Sequence, residues 1–235
     1  MISNIGDLSV LKRYDIINYI IEKNNYNSYL EIGTLYFTNF NKININNKES
    51  IDPAKLSNNT QLYTYNMTSD EAFIEIQKDN KKYDIIFIDG LHYNEQVTRD
   101  IKNSLNVLNA NGTIILHDCN PPTALHACYP PPDPINRPWN GDCYKSIIKF
   151  KYENMNMFVK VVDTDWGVGI IQPDRKDNIN QNYIEIIELV SNENDILTGG
   201  TIQINNKNLT WDFFDNNRNN LLNLIDEDEF YKLFS

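Results

Sequence analysis

Apolar positions along this 235-residue chain recur with two periods, one helical and one of short unbroken runs. Leu8–Lys23 places Leu11, Ile16, Ile17, Ile20 and Ile21 on one face, which predicts an amphipathic helix within residues 1–27. Tyr29–Ile32 is a short buried strand that stops at Gly33, and Thr34–Phe40 is the turn into a following helix. Glu49–Ile51 is a second strand. It ends at Asp52-Pro53, because proline has no N–H for a sheet ladder. Leu62–Tyr65 is a third. Thr68-Ser69-Asp70-Glu71 then forms a capping-box pattern that opens a helix reaching about Lys78.

Two further runs, Asp84–Ile88 and Thr113–Leu116, each end in acid and histidine: Asp89-Gly90-Leu91-His92 and His117-Asp118. One helix length, Asn94–Leu108, and a turn at Asn109–Gly112 separate them. A strand–helix–strand crossover is right-handed and gives parallel strands. Asp89, His92, His117 and Asp118 should therefore crowd one sheet edge, where open α/β sheets bind ligands. The chain has only three histidines, His92, His117 and His126, all in this stretch or just past it.

The rhythm breaks after Asn120. Residues 120–145 are proline-rich and read as a lid or acceptor-binding loop. Tyr144–Lys151 is helical. Phe158–Val162 and Gly167–Ile171 are joined by only Asp163–Trp166, a link that allows nothing but an antiparallel hairpin. Residues 175–235 form a C-terminal extension with a helix over Trp211–Leu224 and a helix cap at Asp226–Glu229. The whole predicts one α/β domain with a mostly parallel sheet covered on both faces.

Composition narrows the function. A net charge of −11 repels phosphate backbones, so nucleic acid is not an expected partner. No apolar run reaches the roughly 18–20 residues that span a bilayer, and the N-terminus lacks a secretory layout. The expected compartment is the cytoplasm. Three cysteines without metal-type spacing, Cys119, Cys128 and Cys143, read as free thiols. Abundant paired asparagines read as solvent-facing positions.

Seven segments in this order and spacing resemble the class I S-adenosylmethionine-dependent methyltransferases, in the branch with small-molecule and sugar O-methyltransferases. They are YLEIGT (Tyr29–Thr34), SIDPAK (Ser50–Lys55), YNMTSDEAF (Tyr65–Phe73), FIDGLHYNEQVTRDI (Phe87–Ile101), LHDCNPPT (Leu116–Thr123), WNGDCYK (Trp139–Lys145) and DTDWGVGII (Asp163–Ile171). The resemblance implies a Rossmann-like, seven-stranded, mostly parallel sheet finished by an antiparallel hairpin strand. It implies that Glu31 and Gly33 approach the methionine part of the cofactor. Asp52 would take the ribose hydroxyls, Met67, Thr68 and Ser69 would flank the adenine, and Asp89 would lie near the methionine amine and the reacting methyl. The family turn has a second glycine where this chain has Phe37. Phe37 is thus expected either to crowd the cofactor or to re-route the turn.

O-methylation needs a base for the acceptor hydroxyl. His92 and His117 are the candidates, with Asp89 beside them; a loop histidine packed on Tyr93 and a backbone-bonded buried histidine are their structural alternatives. His126 could reach down from the loop. The resemblance also implies a second mechanism, in which Asp89, His117 and Asp118 hold a divalent ion, Mn²⁺ or Mg²⁺, that acidifies the hydroxyl. Tyr129, Pro130, Pro131, Pro132, Trp139 and Trp166 could stack a carbohydrate, with Arg137 or Asp142 on its hydroxyls. The expected activity is O-methylation of a sugar or nucleotide-linked sugar in glycan biosynthesis, by a chain that could form a homodimer. The competing expectations are a degenerate methyltransferase fold serving as a binding or assembly module, and a nucleotide-dependent oxidoreductase. The absent G-x-G-x-x-G disfavours the latter.

Overall fold

The computed structural model describes residues 11–54, 63–131, 138–177, 203–204 and 207–235. The first element is α1 (Arg13–Asn24), followed by β1 (Ser28–Ile32) and β2 (Asn47–Ile51). Between these strands there is only a single 3-10 turn, Phe40–Lys42, so the helix expected after Thr34–Phe40 does not form. Then come α2 (Ser69–Lys78), β3 (Tyr83–Ile88), α3 (Asn94–Val107) and β4 (Leu108–Leu116). The second half contributes α4 (Cys143–Glu153), β5 (Met157–Val162), β6 (Val168–Lys176), the short pair β7 (Gln203–Ile204) and β8 (Lys207–Asn208), α5 (Trp211–Leu222), β9 (Leu224–Ile225) and α6 (Glu227–Phe234).

Seven strands make one sheet in the order β2-β1-β3-β4-β6-β5-β9. β1 to β4 run parallel, β6 is antiparallel to both its neighbours, and β9 is parallel to β5. The reversed strand is therefore interior, and the seventh strand comes from the C-terminal segment. The third strand expected at Leu62–Tyr65 is reduced to one parallel bridge, Ile51 to Tyr65, with Leu62 outside the described residues. The turn expected at Asn109–Gly112 lies within β4 as an irregularity. Tyr83 pairs with Leu108 and Ile85 with Thr113, so two residues of β3 span five of β4, and Asn111 takes a positive φ of 59°.

Side chains alternate across the strands, so the sheet has a core on each face. Ile86 and Ile88 of β3 join α2, α3, α4 and α5 through Phe73, Ile101, Ile148 and Phe214. Ile85 and Phe87 of the same strand join α1 and α6 through Ile16, Ile20 and Phe230. The predicted capping box begins α2: Thr68 accepts from the Glu71 N–H, and Glu71 accepts from the Thr68 N–H at 3.0 Å. Asp226 caps α6 in the same way. No helix among the described residues is long and apolar enough to cross a membrane.

Candidate functional site

β1 and β3 are neighbours in space although β2 lies between them in sequence, so the chain leaves them in opposite directions at their carboxyl ends. Such a switch point opens a crevice. Here it opens a cavity of about 900 Å³. Gly33, Asp52, Asp89, His117 and Asp118, at the ends of β1 to β4, all line it, as do Glu31, Thr68, Ser69 and His92. Of the expected cofactor residues only Met67 is absent from the wall; it packs against the core.

Gly33 has a φ of +83°, and its N–H bonds the Ile51 carbonyl at 2.9 Å. Asp52 accepts from the Leu35 N–H at 2.7 Å on one oxygen and from the Ala54 N–H at 2.8 Å on the other. Each oxygen keeps a second lone pair. Phe37 turns away from the cavity and into the core. It takes φ 60°, is 1% exposed, stacks on Tyr63 at 4.8 Å and does not line the cavity. Glu31 is buried, with Tyr29 and Asn39 both donating to its Oε2, and burial raises its carboxyl to about 7. Asn39 Oδ1, also in the cavity wall, is buried without a donor among the described residues.

At the centre, four acid and histidine groups converge. Leu116 ends β4, and Asp118 takes a φ of 59°, which turns the chain so that His117 and Asp118 face the same point rather than opposite faces. His117 Nδ1 is 3.3 Å from Asp89 Oδ1 and 3.2 Å from Asp118 Oδ2. His92 Nε2 lies 3.5 Å and 3.3 Å from the same two oxygens. The outer nitrogen of each ring faces a carbonyl: His92 Nδ1 is 3.1 Å from Trp139 O, and His117 Nε2 is 2.7 Å from Asp165 O. A carbonyl only accepts, so both outer nitrogens carry hydrogen and both inner ones face the carboxylate pair. Metal-binding histidines are oriented by this kind of outer bond.

The electrostatics follow. Burial alone would lower both imidazoles, but Asp89 and Asp118 outweigh it and raise them, His117 strongly. Burial opposes ionisation of Asp89, yet His117, His92 and Arg13 together hold its carboxyl well below the usual range. Asp89, His92 and Asp118 offer ligand atoms that all lie within 4.8 Å of one another. The expected ion set had His117 in place of His92. His117 lies against the same carboxylates, but its Nδ1 faces Arg13 Nη1 at 3.0 Å.

Several residues went unforeseen. Arg13, the first residue of α1, bridges Asp89 Oδ2 at 2.7 Å and Asp165 Oδ2 at 2.9 Å. A lone arginine in an amphipathic helix carries no signal for this in the sequence. Asp165 and Asn140 also line the cavity, and Asn140 Nδ2 donates to Asp118 Oδ1 at 2.5 Å. Of the expected acceptor platform, Trp139 and Trp166 line the cavity, and Trp139 stacks on His92 at 5.5 Å. Pro132 and Arg137 lie outside the described residues. Asp142 does not reach the cavity; it accepts from the Asn94 N–H at 2.6 Å and pairs with Lys145. His126 bonds Thr123 and packs on Trp166, also outside the cavity wall. The cysteines are free, and burial pushes the thiols of Cys119 and Cys143 up.

Comparison with known proteins gives the fold. A family profile described as a methyltransferase domain matches residues 19–119, somewhat under half of the chain. Among solved structures, an O-methyltransferase from Bacillus cereus in complex with SAH superposes with a TM-score of 0.50 at 10% identity, covering 66% of this chain and 78% of that one. A Klebsiella pneumoniae protein described as an O-methyltransferase gives 0.49 at 13% identity, covering 68% and 79%. MycE methyltransferase of the mycinamycin pathway, in complex with Mg, SAH and mycinamycin VI, gives 0.44 at 16% identity, covering 69% and 49%. No curated protein matches the chain. The fold is thus the Rossmann-like methyltransferase fold.

Proposed function

We propose that this chain is an S-adenosylmethionine-dependent O-methyltransferase whose acceptor is a small polyhydroxylated molecule, a sugar or nucleotide-linked sugar. One observation carries the reading: the ends of four consecutive parallel strands deliver a turn glycine, a carboxylate and an acid–histidine cluster into one cavity on the methyltransferase fold. About 900 Å³ accommodates a cofactor and a small acceptor together.

Gly33 lets the backbone approach the methionine portion, and Glu31 with the unsatisfied Asn39 Oδ1 offers acceptors to its ammonium group. The spare lone pairs of Asp52 suit two ribose hydroxyls. Thr68 and Ser69 border the far wall, where the adenine would lie. Trp139 and Trp166 give the acceptor flat apolar faces near the acid–histidine cluster.

The donor set also fits a divalent ion. Asp89, His92 and Asp118 would hold it, and mixed oxygen and nitrogen ligands favour Mn²⁺ or Fe²⁺ over Mg²⁺. A bound ion would lower the pKa of an acceptor hydroxyl. The chain's own residues do the rest: Trp139 O fixes the His92 tautomer, and Asn140 Nδ2 donates to Asp118 Oδ1 and holds it in place. Without an ion, His92 Nε2 is the nitrogen placed to take the hydroxyl proton.

The test is calorimetric titration of S-adenosylhomocysteine into the full chain and into Asp52→Ala, with and without Mn²⁺. Micromolar binding that the substitution abolishes is expected. No binding by the unaltered chain under any condition would overturn the reading; retained binding by Asp52→Ala would sink the ribose assignment alone.

A further inference from the structure

We propose that Arg13 selects the ligands of the divalent ion: it withdraws His117 from coordination and confines the ion to Asp89, His92 and Asp118. The inference rests on the ion-binding reading above and extends it by giving the first residue of α1 a role in the site.

By distance alone the two histidines are equivalent. Each inner ring nitrogen stands 3.2–3.5 Å from Asp89 Oδ1 and Asp118 Oδ2. Each outer nitrogen donates to a carbonyl, so a neutral ring in either position would present an inner lone pair to the carboxylate pair. Two such nitrogens and two shared carboxylate oxygens make four ligand atoms, a mixed nitrogen and oxygen set of the kind first-row divalent metals take.

Arg13 breaks the equivalence. Its Nη1 is 3.0 Å from His117 Nδ1 and 2.7 Å from Asp89 Oδ2. A guanidinium has only donors and stays charged, so Nη1 donates to the neutral His117 ring and occupies the lone pair that coordination would need. The imidazolium form of His117 has no lone pair at Nδ1 to offer. No cation stands in the same way on His92 Nε2 among the described residues.

The arrangement is held from one side by a single residue. Asp165 Oδ2 accepts from the Arg13 backbone N–H at 3.1 Å and from its Nε at 2.9 Å. The carbonyl of the same residue accepts from His117 Nε2. Asp165, in the β5–β6 connection, thus orients both the arginine and the ring it blocks. A charge fixed beside Asp89 also opposes a second cation there, so Arg13 should weaken ion affinity while it sharpens the ligand set.

The experiment uses Mn²⁺ alone as the probe on the full chain. Electron paramagnetic resonance counts free ion, and electron spin-echo modulation counts coordinated histidine nitrogens. The unaltered chain should show one histidine nitrogen, which His92→Gln removes. Arg13→Gln should bind Mn²⁺ at least tenfold more tightly and show two. Arg13→Lys, which keeps the charge but not the fork, should fall between. Two histidine nitrogens in the unaltered chain, or an Arg13→Gln affinity no higher than its parent's, would overturn the proposal while leaving the ion reading intact. Absence of Mn²⁺ binding in both proteins would remove the ion reading and this inference with it. Should Arg13→Gln not fold, the nitrogen count in the unaltered chain decides.

Discussion

A Cβ built on Gly33 would stand 2.1 Å from the carbonyl oxygen of Asp89. The two residues end neighbouring strands at the switch point, and their backbones pass this closely at the cavity wall. Gly33→Ala meets that contact and a φ of +83° together. We expect it to cost at least about 3 kcal/mol in urea unfolding and to abolish S-adenosylhomocysteine binding. A variant with parental stability would mean that the turn has another route.

Asp100 lies on α3, buried, at the cavity wall, where Ser69 donates to its Oδ1 at 2.7 Å and Gln96 at 3.1 Å. Burial raises its carboxyl to about 6. The folded chain therefore holds this proton more tightly than the unfolded chain does, and stability declines as pH rises from about 4 through 6. Asp100→Asn removes the charge and keeps the acceptor oxygen. It should be more stable than its parent above pH 7, by up to roughly 3 kcal/mol, with the difference vanishing near pH 4. Thermal melts across that range check the sign; a pH-independent difference would count against it.

Phe37 fills a glycine position of the family turn, yet it points into the core. Phe37→Ala should destabilise the fold by about 3 kcal/mol. Because Phe37 does not line the cavity, affinity for S-adenosylhomocysteine in the folded variant should change less than threefold. A large gain in affinity would show that the ring does crowd the ligand.

The two central histidines should separate by stability. His117 is almost wholly buried, and its loss leaves the Asp165 carbonyl without its donor and takes the ring away from Arg13, which keeps Asp89 and Asp165 as partners. His117→Gln is expected to cost about 2 kcal/mol or more. His92, more open to the cavity, should cost under about 1 kcal/mol as His92→Gln, while methyl transfer to any acceptor found by screening falls at least a hundredfold. Equal stability losses would contradict this division.

Much of the architecture was readable from local pattern. Strands β1, β3, β4, β5 and β6 contain short apolar runs, and α2 carries its capping box in plain view. The short Asp163–Trp166 link dictated antiparallel β5 and β6 whatever surrounds them. Where pattern failed, a tertiary contact decided. Among the described residues there, Tyr65 pairs with Ile51 as a single bridge rather than a full strand. Leu224 and Ile225 continue the run of an apolar helix, but the left-handed Asn223 ends that helix and the edge of β5 recruits them as a strand.

The candidate site divides along the same line. Sequence by itself determined which strand ends carry chemistry: Gly33, Asp52, Asp89, His117 and Asp118 arrive at one edge because parallel strands must align their carboxyl ends. It could not rank His92 against His117, since each stands near an acid in the chain. Only the packing of α1 against the sheet brought Arg13 to His117, across 104 positions of sequence, and only the positive φ of Asp118 turned two adjacent side chains to one point. Both depend on long-range packing and local backbone twist, which leave no period in the chain to read.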